Sequence, residues 1–220
     1  MALSKADFNN INVTPAASKK LKWNASANGF ETGDVGGSMV LLSTQTASGS
    51  ANLSFTSGID DTYDSYVFKF INIHPSAASG EFQVNFRDGS TAYDATKTTT
   101  FFLAYADEAD TEGDVTVSYA NAAKDIAQGT GFQIIADDMA NLNDGSGSGT
   151  LHLYAPSNTT FVKHFTSRIT HMHQQPAAFS SFVAGYCNVT AAIDGVQFKF
   201  SSGNIDSGVI KMYGVGDKQS

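Results

Sequence analysis

The sequence predicts an all-β protein built as an antiparallel β-sandwich, and three observations carry that expectation. Apolar and polar residues alternate over short runs, as in Val196, Phe198 and Phe200 against Gln197, Lys199 and Ser201. Clusters of Gly, Asp, Asn and Ser separate these runs at short intervals and supply turns, as at Asp88-Gly89-Ser90 and Ser202-Gly203-Asn204. Long amphipathic helices do not alternate with the strands, which sets aside the α/β folds.

Composition supports a folded body. Charged residues make up 15% of the 220 while 16 Phe and 8 Tyr supply core, the reverse of a chain kept disordered by charge. The length suits one all-β domain, or one domain with an arm. A formal net charge of −8 argues against nucleic-acid binding, which needs a basic face for phosphates. That charge is uneven: Lys5, Lys19, Lys20 and Lys22 against Asp7 put +3 on the first 22 residues, leaving −11 for the remainder. A basic arm on an acidic body suits docking on an acidic neighbour, including another copy of itself.

Taken in order, residues 1–35 lack sustained periodicity and read as an N-terminal arm or anchor. Residues 9–15 look extended, because Pro15 pushes its predecessor out of the helical region. Residues 16–23 read as one helical turn or as extended arm. Trp23 and Phe30, beside Lys19, Lys20 and Lys22, are candidate anchors to the body or a partner, with core packing as the alternative. Strands follow at 39–46 and 53–55. The nearly continuous apolar run 66–73 reads as a strand buried on both faces, and 82–86 alternates as a strand with one wet face. Residues 98–105 are rich in β-branched and aromatic side chains, and 107–114 form an acidic loop. The alanines of 119–129 favour the one helix, which Gly129 is placed to stop. A strand begins at 132–135, a Gly/Ser loop spans 143–149, and strands follow at 150–154, 160–173 and 179–189. A hairpin closes the chain. The result is nine or ten strands with one short helix over residues 36–216, then a tail at 217–220.

That closing hairpin, from Ala191-Ala192-Ile193-Asp194-Gly195-Val196-Gln197-Phe198-Lys199-Phe200 to Val209-Ile210-Lys211-Met212-Tyr213-Gly214-Val215, resembles the end of jelly-roll domains in tailed-bacteriophage virion proteins, especially of marine and cyanobacterial phages. The resemblance extends over 29–35, 65–74 and 161–165, and by pattern over most of 24–215. It implies a sandwich of jelly-roll type with an extended N-terminal arm. It also implies a non-enzymatic structural protein on the particle surface, a capsid decoration (cement) or compact tail-associated subunit. The partners it implies are other virion proteins, with a homo-oligomer such as a trimer, and the location is the virion after assembly in the host cytoplasm. The alternative is a receptor-binding, glycan-binding tip of a tail fibre. Tyr63, Tyr93, Tyr154 and the Gln174-Gln175 loop are candidates for contacting sugar there.

Few constellations carry other chemistry. His171 and His173 share a strand face, but His164, seven residues before His171, faces the opposite way in an unbroken strand. The three are better suited to sensing pH at an interface than to holding a metal. Asp60-Asp61-Thr62-Tyr63-Asp64 and 137–145 are oxygen-rich, yet neither has the spacing or closing glutamate of an EF-hand. Cys187 is alone and reads as a small core residue. There is no Gly-x-Ser-x-Gly, no P-loop and no locatable carboxylate pair, so neither enzyme activity nor a cofactor is expected. No run approaches transmembrane length and the start lacks a secretory apolar stretch, so a membrane is not an expected partner.

Overall fold

In the computed structural model the residues described are 19–24, 26, 28–34, 39–109, 116–119 and 124–216. The expected extended stretch at 9–15, the acidic residues 110–114, the middle of the expected helix at 120–123 and the tail at 217–220 lie outside them. The chain divides into two compact units, residues 1–38 and 39–220.

The first unit contains an antiparallel hairpin of β1 (Lys19–Trp23) and β2 (Phe30–Asp34), in place of the helical turn or extended arm weighed for this stretch. Its register sets Trp23 opposite Phe30 and Lys22 opposite Glu31. The two rings stack at 4.4 Å, and Lys22 Nζ lies 3.3 Å from Glu31. The Asn24 side chain closes the turn, accepting from the Asn28 backbone amide at 3.2 Å. Cross-strand aromatic and ion pairs of this kind are what stabilise a short ribbon.

The second unit is all β among the described residues. Its strands are β3 (Val40–Ser50), β4 (Leu53–Phe55), β5 (Ser65–Pro75), β6 (Gly80–Arg87), β7 (Lys97–Asp107), β8 (Thr116–Tyr119), β9 (Gln133–Met139), β10 (Gly147–Tyr154), β11 (Lys163–Met172), β12 (Ala177–Cys187), β13 (Gly195–Phe200) and β14 (Ile205–Val215). A long sheet runs β3-β14-β5-β10-β11-β12-β7-β8 and a short one β4-β13-β6-β9. Every pairing is antiparallel. The pairings nest: β3 with β14, β4 with β13, β5 with β10 and β6 with β9. The remaining strands, β7-β8 and β11-β12, extend the long sheet beyond β10.

The two sheets face each other across an aromatic core. Val196, Phe198 and Phe200 are all buried, as their alternation requires. Phe198 meets Phe68 at 5.4 Å and Phe70 at 5.1 Å on the opposite sheet, and Phe86 reaches Phe165 at 4.8 Å. Mostly edge-to-face rings fill the space between the layers.

Two expectations need correction. The run 66–73 is not buried on both faces: Ile71 is exposed, and Lys69 reaches over the Tyr213 ring at 5.1 Å. Continuous hydrophobicity reports apolar content, not which face is covered. The expected helix over 119–129 is absent from the described residues. Tyr119 ends β8, and 124–129 runs beside β7 through Thr99 N–H donating to Ile126 O (2.8 Å) and a Lys97–Gly129 bridge. Pairing with a strand edge overrides the helix propensity of a few alanines.

Candidate functional site

The added strands create a groove on the outer face of the long sheet. In β11, Lys163, Phe165, Ser167, Ile169 and His171 point inward, while His164, Thr166, Arg168 and Thr170 point outward. Register then aligns Thr150, Arg168, Phe182 and Phe102 in one row across β10, β11, β12 and β7. Phe102, 39% exposed, stacks on Phe182 with centroids 4.8 Å apart and planes 5° from parallel. Arg168 lies over the other side of that pair, 5.1 Å from the Phe182 centroid. Such a cation on an aromatic face gains electrostatic attraction without leaving solvent.

The neighbouring row holds His152, Thr166 and Ala184, whose short or half-sunken side chains leave a hollow of about 350 Å³ beside the aromatic shelf. Burial lowers the pKa of His152, so Arg168 is the cation of this groove at neutral pH. Further along the same strands a second hollow of about 590 Å³ opens over Ser148, Thr170, Met172, Ala106 and Ala178. The first hollow mixes Phe102, Phe182 and Ala184 with Arg168, His152 and hydroxyls, and the second also carries Asp107 and Glu108.

The histidines separate as their spacing predicts. His164 is on the outer face, 5.9 Å from the Tyr186 ring, while His171 is buried. His171 Nε2–H donates to Asp137 O at 2.6 Å, and Nδ1 is buried without a partner. Burial pushes its pKa down to about 4, which makes it a neutral core histidine. His173 lies past the strand end, its Nε2 2.9 Å from Asp138 Oδ2 and its ring stacked on Phe179 at 4.2 Å. Among the described residues no group of three His, Cys, Asp or Glu side chains is arranged to hold a metal ion.

The acidic stretches serve the fold. Asp60 Oδ1 accepts from Thr62 N–H at 2.9 Å and from the Tyr66 hydroxyl at 3.1 Å. The Thr62 amide, with these other donors, holds its carboxyl below the ordinary range. Asp137 and Asp138 lie in β9 and pair with Lys124 and His173. Cys187 sits between Lys163 and Lys97 across three strands. Lys97 Nζ donates to the carbonyls of Ala95 (2.9 Å) and Gly131 (2.8 Å), and Lys163 Nζ to that of Val189 (2.8 Å). Burial lowers Lys97 to about 8 and raises the Cys187 thiol to about 12, so the thiol is unreactive.

The anchors Lys19, Lys20, Lys22, Trp23 and Phe30 all fall in the N-terminal hairpin, where Trp23 is 60% exposed and Phe30 is exposed beside it. The sugar-contact candidates do not come together. Tyr63 packs edge-on to Tyr66, the Tyr93 hydroxyl is buried, Gln174 accepts from Asn141 N–H, and Tyr154 is exposed at the end of β10. Sequence reasoning missed Phe102, Arg168 and Phe182. One signal was present: in an alternating strand, adjacent Phe101 and Phe102 must face opposite sides, so one of them faces out. No family model, curated protein or solved structure matches this chain.

Proposed function

We propose that this chain is a non-enzymatic structural subunit of a tailed-phage virion, carried on the particle surface as a capsid decoration or compact tail-associated subunit. The observation that carries the reading is the nesting of eight strands. Along β3, β4, β5, β6, β9, β10, β13 and β14, first pairs with last, second with seventh, third with sixth and fourth with fifth. Successive pairs alternate between the long and the short sheet. Such nesting supports the jelly-roll reading, in which one long hairpin is rolled into the double Greek key common in viral shells. Function resides in what is grafted on such a roll, and here the grafts β7-β8 and β11-β12 bring Phe102, Phe182 and Arg168 to the surface.

Another copy of this chain, or a neighbouring virion subunit, covers that shelf in the assembled particle. Exposed aromatic residues and arginine are the side chains that contribute most at such contacts. The exposed Trp23–Phe30 pair and the basic N-terminal stretch offer a second attachment, complementary to the acidic remainder of a neighbouring copy.

A glycan-binding tip is the second reading, favoured by the two stacked rings beside the groove. The hollow beside those rings carries Arg168, His152 and hydroxyls, while the carboxylates of Asp107 and Glu108 line the second hollow further along rather than the aromatic shelf. Mass spectrometry of gradient-purified particles tests the structural reading. Peptides of this chain at stoichiometric levels are expected, and their absence from intact particles overturns it.

A further inference from the structure

A second constellation lies away from the groove, where β6, β9 and the segment before β9 meet. Lys124 Nζ is in direct contact with Asp137 Oδ2, and both side chains are largely buried, 24% and 10% exposed. The Phe101 ring, itself buried, lies 5.8 Å from the ammonium. Both partners are held from behind. Gln133 Nε2–H donates to Lys124 O at 2.8 Å while accepting from the Thr99 hydroxyl, and Thr99 Oγ1 in turn accepts from Ile126 N–H at 2.8 Å. On the other side, His171 donates to the Asp137 carbonyl.

A third group completes the set. The β6–β9 register runs Gly80 to Met139 and then Phe82 to Ala136, so Glu81 lies opposite the two-residue bulge of Asp137 and Asp138. Asp138 has φ +51°, a left-handed conformation unusual outside glycine that the bulge imposes. The Glu81 carboxylate accepts from Gln83 Nε2–H at 3.4 Å and lies within the field of Asp137 and Lys124. Burial first, and the Asp137 carboxylate second, raise its pKa, which suits it to carry a proton.

We propose that Lys124 and Asp137 condense to an intramolecular isopeptide bond, with Glu81 carrying the proton. A proton passes from ammonium to carboxylate, giving a neutral amine and a neutral acid. Nζ then adds to Cγ and forms the C–N bond. Glu81 takes a proton from Nζ and delivers it to the departing hydroxyl, the C–O bond breaks, and one water leaves. One positive and one negative charge disappear together, nothing is oxidised or reduced, and no co-reactant is required. Removing two charges from a poorly hydrated site favours the product. The bond ties the segment after β8 to β9, so that unfolding cannot separate them, a covalent latch suited to a mechanically loaded or long-lived particle.

The test is the intact mass of the full recombinant chain after denaturation, with tandem mass spectrometry to place any change. The expected result is a chain lighter by one water, a branched peptide joining Lys124 to Asp137, and full mass in Lys124→Arg. Glu81→Gln is expected at full mass or to form the bond much more slowly. A folded wild-type chain, shown by a cooperative melt, that has full mass overturns the proposal. So does a water loss that maps to succinimide at Asp88-Gly89, Asp144-Gly145 or Asp194-Gly195. Bond formation at an unchanged rate in Glu81→Gln overturns the role given to Glu81.

Discussion

Truncating Phe198 to Ala probes the joint between the two sheets. Its side chain has no accessible surface and meets Phe68 and Phe70 from the long sheet and Phe55 and Phe82 from the short one. Those four rings sit on three different strands, β4, β5 and β6, each fixed by its own ladder, so they cannot collapse together into the space left behind. A Phe→Ala change at a site that cannot relax costs about 3–5 kcal/mol, and the lost edge-to-face contacts place this one near the upper end. Against a total stability of roughly 5–15 kcal/mol for a domain, the loss is large. Urea unfolding followed by fluorescence and circular dichroism reads it as a lowered midpoint at similar slope. Phe182→Ala on the outer face is the control, expected to cost about 1 kcal/mol or less in the isolated subunit. A Phe198→Ala loss below about 1 kcal/mol, or one equal to that of Phe182→Ala, would refute the facing-sheet core.

Other outcomes follow from the same structure. His171 has its pKa lowered from 6.5 to about 4, so the unfolded chain binds more protons between those values. Stability is then fully present above pH 6.5 and falls by about 3 kcal/mol as pH drops towards 4, with Asp137, Asp138 and His173 as the ionisable groups around it. His171→Gln, which keeps a donor for the Asp137 carbonyl, flattens that slope in urea titrations run at stepped pH; an unchanged slope contradicts it. Lys97 is lowered from 10.5 to about 8, so its contribution has the same sign in a higher window, with stability rising as pH climbs from 8 to 10.5. Lys97→Met removes that rise, and a wild-type chain whose stability is flat there counts against it. Phe102→Ser with Phe182→Asp places polarity and charge on the shelf. Under the proposed self-assembly, light scattering after size exclusion should show a wild-type oligomer and a variant that dissociates at least tenfold more readily with the melting temperature of the subunit little changed; a monomeric wild type or an unaltered oligomer removes the shelf from the contact.

What the sequence disclosed depended on whether a signal was local. The closing strand declared its inward face, because Val196, Phe198 and Phe200 repeat with the period of a half-buried strand. The opposite orientations of His164 and His171 followed from their odd spacing. The exposed side of Ile71 did not, since a strand edge or face left open depends on which neighbours arrive, and β14 and β10 arrive from far along the chain. For the same reason 124–129 looked helical: its partners on β7 are some 27 residues earlier, outside any local window. The aromatic shelf needed the register of β7 against β12, which aligns residues about eighty positions apart. Lys124, Asp137 and Glu81 were each visible as charged residues. Only the return of β9 alongside β6 sets Glu81 opposite Asp137, and Lys124 meets Asp137 from the segment before β9.

Immunogold labelling of intact, purified phage particles with antibodies against the folded chain tests the structural-subunit reading most directly. Label is expected on the particle surface, spread over the head shell for a decoration subunit or confined to the tail for a tail-associated one. Gold absent from intact particles while the chain remains in the soluble fraction of the same lysate would contradict it.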